Sequence, residues 1–313
     1  MKFAMLFPGQ GAQYVSMGKG LYEKFDWVKK IYQDISNRFA LDLYKLSCDS
    51  DLEYLTRTDH AQIAIFVVSY MNYLAFLNEF NIRPEYMAGH SLGEFTALAA
   101  SGALSFEESL GLVLERGRLM QIEADKSQGG MLAVKSSYEN VNLLCKEFME
   151  QHHSKISISN YNSANQIVLS GDSDTLNIIE KTLESNGILT TRLNVGAAFH
   201  SSYMDMASRE FSSLLSKINF STPNCEVISN VSSLPYEGDI YSLLSKQMVS
   251  TVRWHETIKY LEGEGVDIYI DLGPKSILKG MMKRSLSKGK VYSYEDEEDK
   301  VLLNQILNKQ EQS

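Results

Sequence analysis

Ser91 stands in the stretch Tyr86-Met87-Ala88-Gly89-His90-Ser91-Leu92-Gly93-Glu94-Phe95, with a glycine two residues to either side. That spelling, GxSxG, is the one a serine needs to sit on a sharp strand-to-helix turn. The apolar run Tyr86 to Ala88 reads as the strand, and Phe95 to Ala100 reads as the helix. The two glycines remove side chains that would otherwise collide across the turn. A hydroxyl held there projects into an open site, which makes Ser91 a candidate nucleophile. The backbone N–H of Leu92, at the positive end of the following helix, is a candidate donor to an oxyanion. The competing reading is an ordinary strand-to-helix loop, in which Ser91→Ala would leave activity intact.

A nucleophilic serine needs a base. Among the six histidines, His200 lies in the small-residue loop Gly196-Ala197-Ala198-Phe199-His200-Ser201. There the chain is expected to re-enter its larger domain, and domain junctions favour ligand sites. His60, His152, His153 and His255 read as ordinary core or surface residues, and His90 as packing beneath the serine turn. Glu115-Arg116-Gly117-Arg118 supplies two cations, either of which could face the site. A glycine inside a helix costs around 1 kcal/mol relative to alanine, so Gly117 points to close packing or to room made for a ligand. The loop Pro8-Gly9-Gln10-Gly11-Ala12-Gln13 can bring backbone N–H groups to a ligand and supply a second oxyanion donor. A dinucleotide fingerprint would need a third glycine where Tyr14 stands.

The elements that would position these residues alternate. A strand Lys2 to Phe7, an amphipathic helix Leu21 to Phe39, a long apolar helix Ala61 to Phe80 and the nucleophile strand imply an α/β fold with a mainly parallel sheet. Gln62, Ser69, Asn72, Asn78 and Glu79 interrupt the apolar helix, so it is expected inside the protein rather than across a membrane. A further helix starts at Ser105-Phe106-Glu107-Glu108. From Gly129 to Val195 the units shorten. The expected order is strand Met131 to Lys135, helix Tyr138 to Gln151, strands Ile156 to Asn160 and Gln166 to Ser170, helix Asp174 to Ser185 capped by Ser173, and strand Leu189 to Val195. That β-α-β-β-α-β order is ferredoxin-like. The expected domains are therefore a hydrolase-like large subdomain, 1–125 with 197–313, and an inserted ferredoxin-like small subdomain, 126–196. Beyond it come helices Ile240 to Met248 and Glu256 to Glu262, strand Ile268 to Asp271, a solvated acidic loop Glu295 to Asp299, a short helix Val301 to Leu307 and a polar end.

Composition narrows the possibilities. The chain has 313 residues, enough for a large core, and its 30 basic and 39 acidic side chains leave a formal charge of -9. That balance argues against a phosphate-neutralising surface for nucleic acid. Cys48, Cys145 and Cys225 show no paired spacing, so neither a disulfide framework nor a zinc site is implied, and a reducing cytoplasm fits. The apolar run at the N-terminus is too short for a signal peptide.

Together these segments resemble the malonyl-CoA:acyl-carrier-protein transacylases, including the free-standing acyltransferases that serve polyketide synthases. The resemblance spans about residues 2 to 290. It is carried by Phe7 to Gln13, Gly89 to Glu94, Glu115-Arg116-Gly117, Asn160-Tyr161-Asn162-Ser163, Ala198-Phe199-His200-Ser201, Gln247 and Asp271-Leu272-Gly273-Pro274. It implies that Ser91 is acylated, that His200 is the base and acid, and that Arg116 holds the free carboxylate of a malonyl group. It implies an oxyanion hole from the N–H groups of Gln10 and Leu92, a pocket lined by Gln62, and a Gln247 carbonyl that steadies His200. Phe199 matches the malonyl-selective spelling, and Asn160 and Asn162 are supporting residues. Ala12 departs from the serine many relatives carry. The expected substrates are malonyl-CoA and the phosphopantetheine arm of an acyl carrier protein. No metal or redox cofactor, nucleic acid or membrane enters, and a cytoplasmic monomer is expected. Two rival readings are a thioester hydrolase on the same scaffold and a non-catalytic module that docks carrier proteins.

Overall fold

A central strand of five buried residues, Phe3-Ala4-Met5-Leu6-Phe7, anchors a sheet in which every neighbouring pair runs parallel. The computed structural model describes residues 1–80, 82–126, 128–283 and 285–310, and the expected polar end beyond 310 lies outside them. Among the described residues the strands are β1 Phe3–Phe7, β2 Tyr86–Gly89, β3 Gly129–Val134, β4 Ile156–Ser163, β5 Gln166–Asp172, β6 Thr190–Arg192, β7 Glu226–Ile228, β8 Ile268–Asp271 and β9 Lys290–Ser293. The chain forms two compact units. One comprises Met1–Gly117, Phe220–Ile228 and Leu261–Ser313; the other comprises Arg118–Asn219 and Ser229–Tyr260.

The first unit holds the sheet β7-β2-β1-β8-β9. β1, β2 and β8 are buried throughout, as near-continuous apolar runs must be when helices cover both faces of a parallel sheet. Phe7 pairs with Gly89, and Leu6 with Asp271, so the carboxyl ends of β1, β2 and β8 share one edge. From that edge leave the Pro8–Gln13 loop, the serine turn and the Leu272–Ser276 turn, where ligands gather in open α/β sheets. The helix Thr58–Phe80 is long and apolar enough to cross a membrane, but Ala61 to Ser69 are all buried within the fold.

β7 and β9 were not anticipated. Each has only three or four residues and no alternation long enough to register, and each gains its identity by pairing, with β2 and β8 respectively. The expected helix Leu21 to Phe39 is two helices, Lys19–Lys24 and Asp26–Phe39, broken where Phe25 is extended. The acidic run is not a solvated loop either. Glu295 accepts from the Tyr14 hydroxyl and the Lys275 N–H, while Glu297, Glu298 and Asp299 open the helix Glu297–Gln310. Asp299 is buried, accepts from the Ser293 N–H at 2.6 Å and pairs with Lys279 at 2.6 Å. Acids at a helix start are favoured by its dipole, which composition alone does not reveal.

The second unit carries the antiparallel sheet β4-β5-β3-β6, with the first and third strands of the motif in the middle, as a ferredoxin-like order requires. The helices Tyr138–His152 and Ser173–Ser185 pack Val141, Phe148, Leu176, Ile179 and Leu183 onto Leu132, Val134, Ile167 and Leu169. The second helix is capped by Asp172, not Ser173. The Asp172 carboxylate accepts from the Thr175 N–H at 2.8 Å, and the Ser173 hydroxyl donates to the Gln128 carbonyl instead. The compact unit takes in more chain than the sheet itself, because Val252 pairs with β4 through the Ser159 carbonyl and the Tyr161 N–H, each at 2.9 Å. β6 is shorter than its Leu189 to Val195 expectation, and the helix expected from Ile240 to Met248 stops at Leu244, followed by a 3-10 turn Gln247–Val249.

Asp271, at the end of β8, is fully buried and accepts from the N–H groups of Gly273 at 3.1 Å and Lys279 at 2.9 Å. Burial nevertheless pushes its carboxyl up to about 7, against the opposing pull of those N–H donors. Between an ordinary carboxylate pKa of about 4 and that raised value, the folded chain holds a proton the unfolded chain has lost, so stability falls as pH rises through the window. Urea denaturation at several pH values is expected to show that decline in the natural protein and a flatter profile in Asp271→Asn.

Candidate active site

The serine turn is held by backbone crowding. Ser91 adopts a left-handed φ of 53° between β2 and the helix Gly93–Ala100. A Cβ on Gly89 would lie 1.8 Å from the Gly93 carbonyl carbon, and one on Gly93 would lie 1.9 Å from the Phe7 carbonyl oxygen. Only hydrogen fits at either place. The His90 N–H donates to the same Phe7 oxygen at 2.9 Å, which ties the turn to the end of β1. The next residues of the chain, Pro8 to Gln13, fold back over it: a Cβ on Gly9 would meet the His90 carbonyl oxygen at 2.5 Å. The Gln10 loop therefore lies against the nucleophile turn, and the Gln10 side chain donates to the Thr58 hydroxyl at 3.5 Å. His90 is half-buried, and the Leu92 backbone stands at the start of the Gly93–Ala100 helix.

Of the two candidate arginines, Arg116 is the buried one, 1% exposed, and Arg118 is exposed. Ser105 and Glu108 exchange bonds at the start of their helix, Phe106–Lys126, as a capping box. Arg116 donates through Nη1 to Gln62 Oε1 at 2.6 Å and through Nη2 to Ser91 Oγ at 3.1 Å. Its guanidinium carbon lies 5.5 Å from the centre of the Phe95 ring. Burial lowers its pKa to about 10, and the charge of Glu94, itself fully buried, opposes the shift. At neutral pH the group stays a cation. Glu94 was quoted in the motif without a role; only burial reveals that its charge bears on Arg116.

In the second unit His200 also has a left-handed backbone, φ 55°, and is buried. Its Nδ1 lies 3.0 Å from the Gln247 carbonyl oxygen and 3.2 Å from that of Ser250. Carbonyl oxygens only accept, so Nδ1 is the donor and the neutral ring carries its lone pair on Nε2. The sequence pointed to Gln247 and missed Ser250. The helix break after Leu244 turns both carbonyls towards the ring, and no residue type signals that. Asn160 sits in β4 beside this segment, bridged to Val252, and accepts from the Ser159 hydroxyl at 2.9 Å. Asn162 donates to Gln166 at 3.4 Å across its own hairpin. Phe199, next to His200, is buried. All three cysteines are free thiols, and among the described residues no group of His, Cys, Asp and Glu is arranged to hold a metal ion.

The first unit thus carries a left-handed serine backed by crowded glycines with a buried cation on its hydroxyl, and the second a buried histidine oriented by carbonyls; both are residue types that serve nucleophilic catalysis. The chain belongs to the acyl transferase domain family, which it matches over residues 4–308. It is 36% identical over 311 residues to a malonyl CoA-acyl carrier protein transacylase of Bacillus subtilis, covering 98% of this chain and 78% of that one. It is 34% identical over 284 residues to BaeC of Bacillus velezensis, a polyketide biosynthesis malonyl CoA-acyl carrier protein transacylase, covering 89% of this chain and 95% of that one. Its fold matches, at a TM-score of 0.90 and 28% identity, the solved complex of a type II polyketide-synthase acyl-carrier protein with its malonyl-transacylase, over 96% of this chain and 97% of that one.

Replacing Gln62 by leucine removes the acceptor for one buried guanidinium N–H. Leaving such a donor unmatched costs about 1–3 kcal/mol. Gln62→Leu is therefore expected to lose about 1–3 kcal/mol of stability, read as a lower urea midpoint at an unchanged slope.

Proposed function

We propose that this protein moves a malonyl group from malonyl-CoA to the phosphopantetheine thiol of an acyl carrier protein, through an ester on Ser91. The observation that carries the reading is the Arg116 guanidinium, buried, charged and bonded to the Ser91 hydroxyl at 3.1 Å. A guanidinium offers two parallel N–H donors to a carboxylate, so the bound acyl group is one that ends in a free acid. The relatives named as malonyl CoA-acyl carrier protein transacylases support the same assignment.

In the first half-reaction Ser91 Oγ attacks the thioester carbonyl and His200 Nε2 takes its proton. The backbone N–H groups of Gln10 and Leu92 stabilise the oxyanion of the tetrahedral intermediate. The C–S bond then breaks, and the histidine returns the proton to the departing CoA sulfur. In the second half the carrier thiol gives its proton to Nε2 and attacks the ester, and Ser91 Oγ recovers a proton as it leaves. Arg116 holds the malonyl carboxylate through both halves, with Gln62 fixing the guanidinium. The Gln247 and Ser250 carbonyls keep the imidazole in the tautomer that presents Nε2. A thioester hydrolase would gain nothing from a buried cation that an ordinary acyl chain leaves without its carboxylate.

Intact-mass measurement after mixing with malonyl-CoA is expected to show one malonyl adduct, absent from Ser91→Ala and discharged by holo carrier protein. A chain that stays unmodified would overturn the reading in favour of a docking module, and release of free acid faster than transfer would favour the hydrolase. Arg116→Ala is expected to lose about 10²-fold or more in malonyl transfer, the scale of removing one partner from a buried charge pair, while acetyl-CoA becomes a comparatively better donor.

A further inference from the structure

Two glycines interrupt the helix Phe106–Lys126, and their surroundings differ. A Cβ on Gly111 would make a single ordinary contact, with the Phe39 ring at 3.9 Å. A Cβ on Gly117 would lie 3.0 Å from Asp59 Cα, 3.4 Å from the Asp59 carbonyl oxygen and 3.5 Å from that of Thr58. These are backbone atoms of the first turn of the helix Thr58–Phe80, which cannot swing aside as a side-chain tip can. Gly117 has no left-handed φ that would demand glycine. Its lack of a side chain is therefore used for approach: it lets two helices meet backbone to backbone.

The contact lies beside the acid-binding group. Arg116 is the preceding residue, and Gln62, which accepts its Nη1 at 2.6 Å, is three residues beyond Asp59. Thr58, in the same first turn, accepts from Gln10. Ser91, by contrast, is carried by β2 and the helix Gly93–Ala100 and does not depend on this approach. Widening the Gly117–Asp59 contact by a few tenths of an ångström would shift Arg116 relative to both Gln62 and Ser91 while leaving the nucleophile turn in place.

We propose that Gly117 is a positioning residue for acyl-group selectivity, setting the helix spacing at which Arg116 meets the carboxylate of a malonyl group on Ser91. The inference rests on the proposed malonyl transfer and adds to it what holds the guanidinium at the working distance. A donor that lacks a terminal acid makes no bond to Arg116, so the spacing should matter to malonyl-CoA and not to acetyl-CoA.

The test is loading of Ser91 by malonyl-CoA and by acetyl-CoA in separate and competing reactions, followed by intact mass, for the natural chain, Gly117→Ala and Gly111→Ala. Gly117→Ala is expected to lower the malonyl-to-acetyl ratio about 10-fold or more through a raised KM for malonyl-CoA, with the acetyl rate within about 3-fold of the natural chain's. Gly111→Ala should leave the ratio unchanged. Because the readout is a ratio on loaded protein, a smaller folded fraction does not mimic it. An unchanged ratio in Gly117→Ala, or equal losses with both donors, would overturn the proposal. If the natural chain itself takes no malonyl group, the functional reading fails first, and that outcome is visible before any variant is compared.

Discussion

The site depends on keeping a guanidinium charged where water does not reach it. An ion taken out of water loses several kcal/mol of solvation even after relaxation. Arg116 shows part of that loss as a pKa lowered to about 10. The fold offsets it with acceptors fixed before any ligand arrives: the Gln62 amide oxygen, the Ser91 hydroxyl and the through-space charge of buried Glu94. Gln62 and Ser91 are neutral dipoles, so they solvate the cation without cancelling it. Under the proposed reading, a ligand carboxylate is then attracted more strongly than it would be by an exposed lysine, which water and salt would screen.

That arrangement requires close approach of backbones, which explains where the glycines fall. Gly89 and Gly93 let the helix after Ser91 sit on the end of β1, Gly9 lets the neighbouring loop lie on His90, and Gly117 lets the Arg116 helix close on the Gln62 helix. Each contact joins a residue of the site to a different element of the same unit. A well-packed interior resists small displacements because few voids are left to absorb them. The positions of the hydroxyl, the loop and the cation are thus set by main-chain contacts, while the side chains supply the chemistry.

Much of this was legible in the sequence, and the exceptions have physical causes. The serine turn, β8 and the ferredoxin-like order were readable because glycine spacing and apolar periodicity report local geometry directly. Residue types and spacing did not choose between Arg116 and Arg118; the family resemblance pointed to Arg116, and the orientation of the helix buries that one and exposes the other. β7 and β9 acquire strand character from pairing, a non-local property that three or four residues do not encode. Asp299 was read as solvated because acidic runs usually are, whereas here the helix start and Lys279 give it partners. Ser250 contributes only its carbonyl, and a backbone group leaves no trace in residue type.

The histidine illustrates a different economy. An orienting carboxylate would fix the Nδ1 proton and also stabilise the imidazolium by its charge. The carbonyls of Gln247 and Ser250 fix the same proton with dipoles alone. An imidazole so held is fixed in orientation and tautomer without a fixed counter-charge beside Nδ1 from these two carbonyls. Thioester exchange suits that setting. A thiol leaves far more readily than the amine of a peptide, so the intermediate needs less help from a strong acid to expel it. Under the proposed reading the histidine passes a proton from serine to CoA and from the carrier thiol to serine, and one fixed tautomer serves both transfers.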